Sequence, residues 1–259
     1  MIQWLKKFCF LRRNRAPIRS GLDAVFRPLH YEKCRADRRY AGLLMGLAQP
    51  VFLVDSELAP ADVFFCAVGE NDLVRRIISY GSSGDYVHVA VYIGDGKVVE
   101  AIKGGVVEDT LDKLIARYPY VAVGRCPGAR PSGLPKLSEK VVEFCERHAV
   151  AKTPYNGLGA VKSPLLELRE LRNQNRTKRP VLPVAQSKPK SSFFCSEFVI
   201  EAFIYGGYIP EGAMNSSGYS PTALAEDAIF ELVGYLGSPD MALRIRSHDY
   251  FLTGGVSSG

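Results

Sequence analysis

The sequence predicts an α+β fold in which antiparallel strands pack against helices, and three observations predict it. Residues 87–93 and 97–102 are runs rich in β-branched side chains joined through Gly94-Asp95-Gly96, a hairpin signal. Further short strand candidates stand at 61–68 and 120–125. Long apolar stretches with helical punctuation, above all 193–205, supply the helices.

The elements follow in chain order. Residues 1–50 read as a basic arm with little periodic pattern, and 51–240 as the folded domain, with 241–259 as a tail. Residues 61–68 follow Pro60 and have the composition of a buried strand. Apolar residues at helical spacing over 73–80, ending at Gly81, predict a helix. The hairpin and the 120–125 strand come next. Ser138 is placed to cap a helix over 138–148. Residues 156–172 look helical in their second half, and 173–192, rich in Lys, Arg and Pro, read as a long polar loop. Ser220-Pro221 opens a last helix expected to run to Leu232 or Val233 and to close at Gly234.

Composition bounds the function. The chain has 259 residues, 47% hydrophobic and 23% charged, which suits a globular domain with a real core. Its formal charge of +6 is unevenly spread. Residues 1–40 hold eleven Lys/Arg against three acids, leaving the other 219 residues with 22 against 24. The body is therefore close to neutral, and no nucleic-acid partner is expected. The six cysteines, at 9, 34, 66, 126, 145 and 195, form no CxxC pair and no zinc spacing. They fit buried thiols in a reducing compartment better than a disulfide framework.

The first residues mix charges into apolar ones and lack a continuous apolar core, so no signal peptide is read there. The localisation expected is cytoplasmic or peripheral to a membrane, or export by a signal-independent route. As a helix, residues 4–13 would gather Trp4, Leu5, Phe8 and Leu11 on one side amid Lys and Arg, a membrane-surface pattern. A flexible basic tail fits these residues equally well.

Two places can carry chemistry. In the hairpin, a three-residue loop 94–96 would pair Ile93 with Lys97 and Ala90 with Glu100, setting His88 and Glu100 on one sheet face. A two-residue loop would set them on opposite faces. The second place is Cys195, expected at the first turn of an apolar helix, where unpaired N–H groups and the helix dipole favour a thiolate. Either residue alone is an ordinary core residue; a base with a carboxylate partner and a thiol at a helix start together point to nucleophilic chemistry.

The motifs "HVAVYIGDGKVVEA" and "FFCSEFV", with "PADVFF", "TPYNGLGAV" and "YSPTALAED" around them, span roughly residues 58–235. In that order they resemble the circularly permuted papain-like amidases, the YiiX-like branch of the NlpC superfamily. The permuted order is visible in His88 preceding Cys195. The resemblance implies a papain-like fold with Cys195 as nucleophile, His88 as general base and Glu100 as the group that orients the imidazole. It also implies that Tyr86 and Tyr155 line the substrate cleft. Asp62 falls on a Gly-Asp motif whose Gly is here Ala61, and is read as structural, while Ser196 and Glu197 are read as capping and surface residues.

No metal or organic cofactor is implied. The resemblance leaves three activities open: an amidase acting on a peptide or a peptidoglycan stem peptide, a lipid ester or thioester hydrolase related to lecithin:retinol acyltransferase, and a silent amino-acid or lipid binding module. Contact of residues 1–40 with an anionic membrane would suit the second.

Overall fold

Short runs whose side chains alternate between two apolar faces build a single sheet, and the helices cover it. The computed structural model describes residues 50–67, 86–131, 133–157, 159, 190–227, 229–243 and 245. The readings of the basic arm, the helix at 73–80, the helical second half of 156–172, residues 173–189 and the tail beyond 245 lie outside the described residues. Among the described residues, no helix is long and apolar enough to cross a membrane.

The strands are β1 (Val63–Ala67), β2 (Tyr86–Gly94), β3 (Lys97–Ile102), β4 (Gly105–Thr110), β5 (Tyr120–Arg125) and β6 (Glu231–Gly237). They form one six-stranded antiparallel sheet in the order β4-β3-β2-β1-β5-β6. The helices are α1 (Leu111–Ala116), α2 (Leu137–Val150), α3 (Cys195–Tyr205) and α4 (Pro221–Glu226). The fold is α+β and compatible with a papain-like architecture. Helices α2 and α3 lie against the face that carries Val89, Val91, Val99 and Ala122. Phe198, Val199, Ile200, Ala202 and Phe203 of α3 are all buried there. Each large side chain among them contributes about 1.5–3 kcal/mol by leaving water, so α3 is held by its core face rather than by helix propensity.

The hairpin differs from the expected one in an instructive way. Gly94, not Ile93, pairs with Lys97, and Asp95 (φ 50°) and Gly96 (φ 69°) form a two-residue turn. Both turn residues have positive φ, as a type I′ turn requires. Ile93 is left over as a bulge, so Tyr92 pairs with Val98 and Val91 with Val99. The bulge restores the register that a three-residue loop would have given.

Two other expectations are corrected. Helix α2 begins at Leu137 after Lys136, which sits at φ 60°, and Ser138 lies inside the first turn without capping it. Helix α4 ends at Glu226, and residues 231–237 are strand β6 instead of its continuation. There the backbone of β5 on one side and Val51–Leu53 on the other claim the hydrogen bonds of Tyr235 and its neighbours, overriding a locally helix-like pattern. Gly234 allows that approach: a Cβ on it would meet Leu53 Cγ at 2.6 Å. Strand β4 and helix α1, neither read from the sequence, fill the stretch after the hairpin, with the Thr110 hydroxyl accepting the Lys113 N–H at the helix start.

Ala61 keeps the glycine-like bend of its motif at φ 73°, a conformation that costs an L-residue roughly 1–2 kcal/mol. The neighbouring Asp62 anchors that bend. Its carboxylate accepts from Nε and Nη2 of Arg125 at 2.7 and 2.6 Å and from the Ala59 N–H at 2.8 Å. Asp62 thus ties the start of β1 to the end of β5, far from Cys195 in role.

Candidate active site

Helix α3 starts at the thiol. Phe194 is extended (φ −100°, ψ 169°) and Cys195 is the first helical residue, so the N–H groups of this first turn have no partner one turn back in the helix. Glu197 reaches back to accept the Phe194 N–H at 3.4 Å. It is not a surface residue: Glu197 and Ser196 are both buried, and Ser196 Oγ donates to the Tyr219 carbonyl at 2.6 Å.

The strand-like segment before α3 brings a second chain alongside. Asn156 donates its N–H to the Phe193 carbonyl at 2.8 Å, and Phe193 donates to the Pro154 carbonyl at 3.1 Å. This pairing sets Tyr155 beside Cys195. Burial, and then the nearby Cys195 charge, push the Tyr155 hydroxyl well above its ordinary range. It therefore stays protonated and able to donate at neutral pH. Tyr86 is placed otherwise: it is fully buried at the start of β2, its ring 5.7 Å from Phe65, and its N–H and C=O both bond the Thr222 hydroxyl.

His88 sits where β2 is irregular. Cys66 of β1 stands opposite His88, but the next pair is Ala67 with Tyr86, so Val87 is bulged out beside the imidazole. Bulges at such positions re-aim side chains. His88 Nε2 lies 2.7 Å from Glu100 Oε2, and its ring stacks on Tyr118 with centroids 6.0 Å apart and planes 10° from parallel. Because Nε2 is engaged with Glu100, Nδ1 is the ring nitrogen left to face Cys195, whose side chain is near enough to raise the His88 pKa.

The electrostatics favour a charged imidazole. Burial alone would lower the His88 pKa, but hydrogen bonds with Cys195 and Glu100, together with their charges, push it up to about 9. Glu100 is itself buried, which opposes ionisation, yet His88 and then Arg117 hold its carboxyl below the ordinary carboxylate value. Arg117 Nη2 donates to Glu100 Oε1 at 2.5 Å. The two oxygens of Glu100 are thus shared between a histidine and an arginine.

Arg117 and Tyr118 are the site residues the sequence did not disclose. They follow α1, which lacked a readable pattern, and no motif joins Arg117 to Glu100. The remaining described thiols, Cys66, Cys126 and Cys145, are in no disulfide and are fully buried. Burial pushes the Cys126 thiol up to about 12 and Cys145 higher still. Among the described residues, no group of three or more His, Cys, Asp or Glu side chains is arranged to hold a metal ion.

Comparison with known proteins gives one informative likeness. The chain is 26% identical over 206 residues, 74% of its own length and 71% of the other protein's, to a protein of Escherichia coli (strain K12) named probable lipoprotein peptidase YaeF. No family model matches the chain. At a coarse level, this likeness supports a peptidase-like hydrolase.

Proposed function

Starting from this likeness to a probable peptidase, we propose that the chain is a cysteine hydrolase that cleaves an amide bond in a peptide or lipopeptide through a thiol acyl-enzyme, and that it is a YiiX-like permuted papain relative. The observation that carries the reading is the His88–Glu100 pair at 2.7 Å beside Cys195, which opens a buried helix. Cys195 attacks the acyl carbon as a thiolate, and the oxyanion forms beside the N–H groups of the first turn of α3. The Tyr155 hydroxyl is a further donor on that side. His88, protonated at neutral pH, gives its proton to the leaving amine, and water then takes a proton back to His88 as it releases the acyl group. Glu100 keeps the imidazole oriented and stabilises its charge.

Peptidoglycan stem peptides, lipoprotein-derived peptides and phospholipid vesicles separate the substrate classes. Incubation of each with wild type and with Cys195→Ala, read by mass spectrometry, is expected to show amide cleavage of a peptide by wild type alone. Release of fatty acid from phospholipid with every peptide left intact would replace the amidase reading with a lipid hydrolase. Iodoacetamide at neutral pH is expected to label Cys195 ahead of the other five cysteines, and more slowly in His88→Ala. Uniform labelling with no cleavage in any arm would leave a binding module. Contact of residues 1–40 with an anionic membrane would favour the lipid reading: if they anchor the chain, their deletion should abolish binding to anionic vesicles, and retained binding would remove the main support for that reading.

A further inference from the structure

His88 is faced by Cys195 from α3, Glu100 from β3, Cys66 from β1, and Tyr118 just after α1; Tyr155 stands beyond Cys195. Arg117 comes to the site through Glu100. It touches the far oxygen of Glu100, the side chain of which has no exposure to solvent. From this arrangement we infer that Arg117 is a positioning residue that acts through Glu100, splitting the carboxylate between two cations and so fixing the upper pH limit at which His88 can serve as proton donor. The inference rests on the hydrolase reading of the site only for its catalytic consequence.

A buried carboxylate with a single cationic partner gives that partner its whole charge; with two partners on separate oxygens, each receives less. Arg117 is permanently charged, so it lowers the proton affinity of His88 both by drawing on Glu100 and by like-charge repulsion across it. Arg117 also fixes the carboxylate plane, because its Nη2 holds Oε1 while Oε2 is left to the imidazole. An uncharged residue at 117 leaves His88 as the lone counter-ion of Glu100 and makes the imidazolium harder to deprotonate. That is the reverse of what removal of Glu100 does.

The opposite signs make the test decisive. The ring C–H resonance of His88, assigned by its loss in His88→Gln among the four histidines of the chain, is followed by NMR titration in the full-length protein without substrate. Relative to wild type, Arg117→Met should move the His88 midpoint up by about one pH unit, and Glu100→Gln should move it down. Arg117→Lys, which keeps the charge, should stay close to wild type. Arg117→Gln reads the same sign as Arg117→Met and covers a methionine variant that does not fold. The alkaline limb of kcat/KM should follow each midpoint. An unchanged midpoint in the uncharged variants, or a downward shift like that of Glu100→Gln, overturns the inference, because general loosening of the site moves both variants the same way. Hydrolysis retained by Cys195→Ala would instead sink the cysteine-hydrolase reading and leave the titration result standing.

Discussion

Lys190 Nζ lies 2.6 Å from Glu197 Oε1, two residues past Cys195 on the same helix. Glu201 Oε1, 3.0 Å away, and the hydroxyls of Ser216 and Ser217 complete its surroundings. Glu197 is almost wholly buried, so its charge depends on this lysine and on the Ser217 hydroxyl at 2.6 Å. Removing one partner of a buried pair leaves an uncompensated charge. Lys190→Met should lower stability by roughly 2–3 kcal/mol in urea denaturation, and Lys190→Arg by clearly less. Equal stability of Lys190→Met and wild type would mean that Glu197 needs no cation.

The pH dependence follows from His88 and Glu100 together. The folded-state pKa of His88 is raised from 6.5 to about 9, so its stabilising contribution is complete below about pH 6.5 and fades as pH rises through 9. Glu100 is lowered, so its contribution is present above the ordinary carboxylate value and fades as pH falls below it. Thermal midpoints measured across pH should therefore be highest between those limits, and peptide hydrolysis should lose rate on an alkaline limb near pH 9. A limb near 6.5 would show that His88 is not held as an ion pair.

Asp62 and Arg125 give a prediction about folding alone. Asp62→Asn leaves Arg125 with a neutral partner at a bend where Ala61 already occupies φ 73°. The loss should be about 3 kcal/mol, with iodoacetamide selectivity for Cys195 preserved in the fraction that stays folded. Loss of selectivity without loss of stability would give Asp62 a part in the site.

Ile93 is the bulged residue of the hairpin, so its deletion lets Gly94 follow Tyr92 directly in an unbulged ladder with the other pairs unchanged. The variant should be less stable by about 1–2 kcal/mol, from the loss of a partly buried side chain, yet keep the elevated His88 titration. A His88 midpoint falling to about 6.5 would show that the bulge, and not only the register, aims the imidazole.

The sequence disclosed what is local and periodic. Strands β1, β2, β3 and β5 and the start of α3 carry their own patterns, and the shared face of His88 and Glu100 could be argued from the parity of the hairpin. The turn itself is not legible, because a two-residue turn plus a bulge and a three-residue loop have the same parity. Strand β6 was hidden because its pairing partners lie about a hundred residues away, and its apolar run suits a helix as well. Arg117 was hidden for a related reason: its meaning comes only from Glu100, across an unread strand and helix. Lys190 lies in a polar stretch where a half-buried lysine looks like any solvated one.

The order of His88 and Cys195 along the chain has a consequence for how the protein is made. The strands carrying His88 and Glu100 leave the ribosome well before Cys195 exists, and β6, which completes the sheet edge, comes last of all. A nascent chain that stops short of Cys195 holds the base without the thiol, and a chain cut between Glu100 and Cys195 separates the two. On the reading proposed above, reactivity switches on only once Cys195 has been made and the two halves have met.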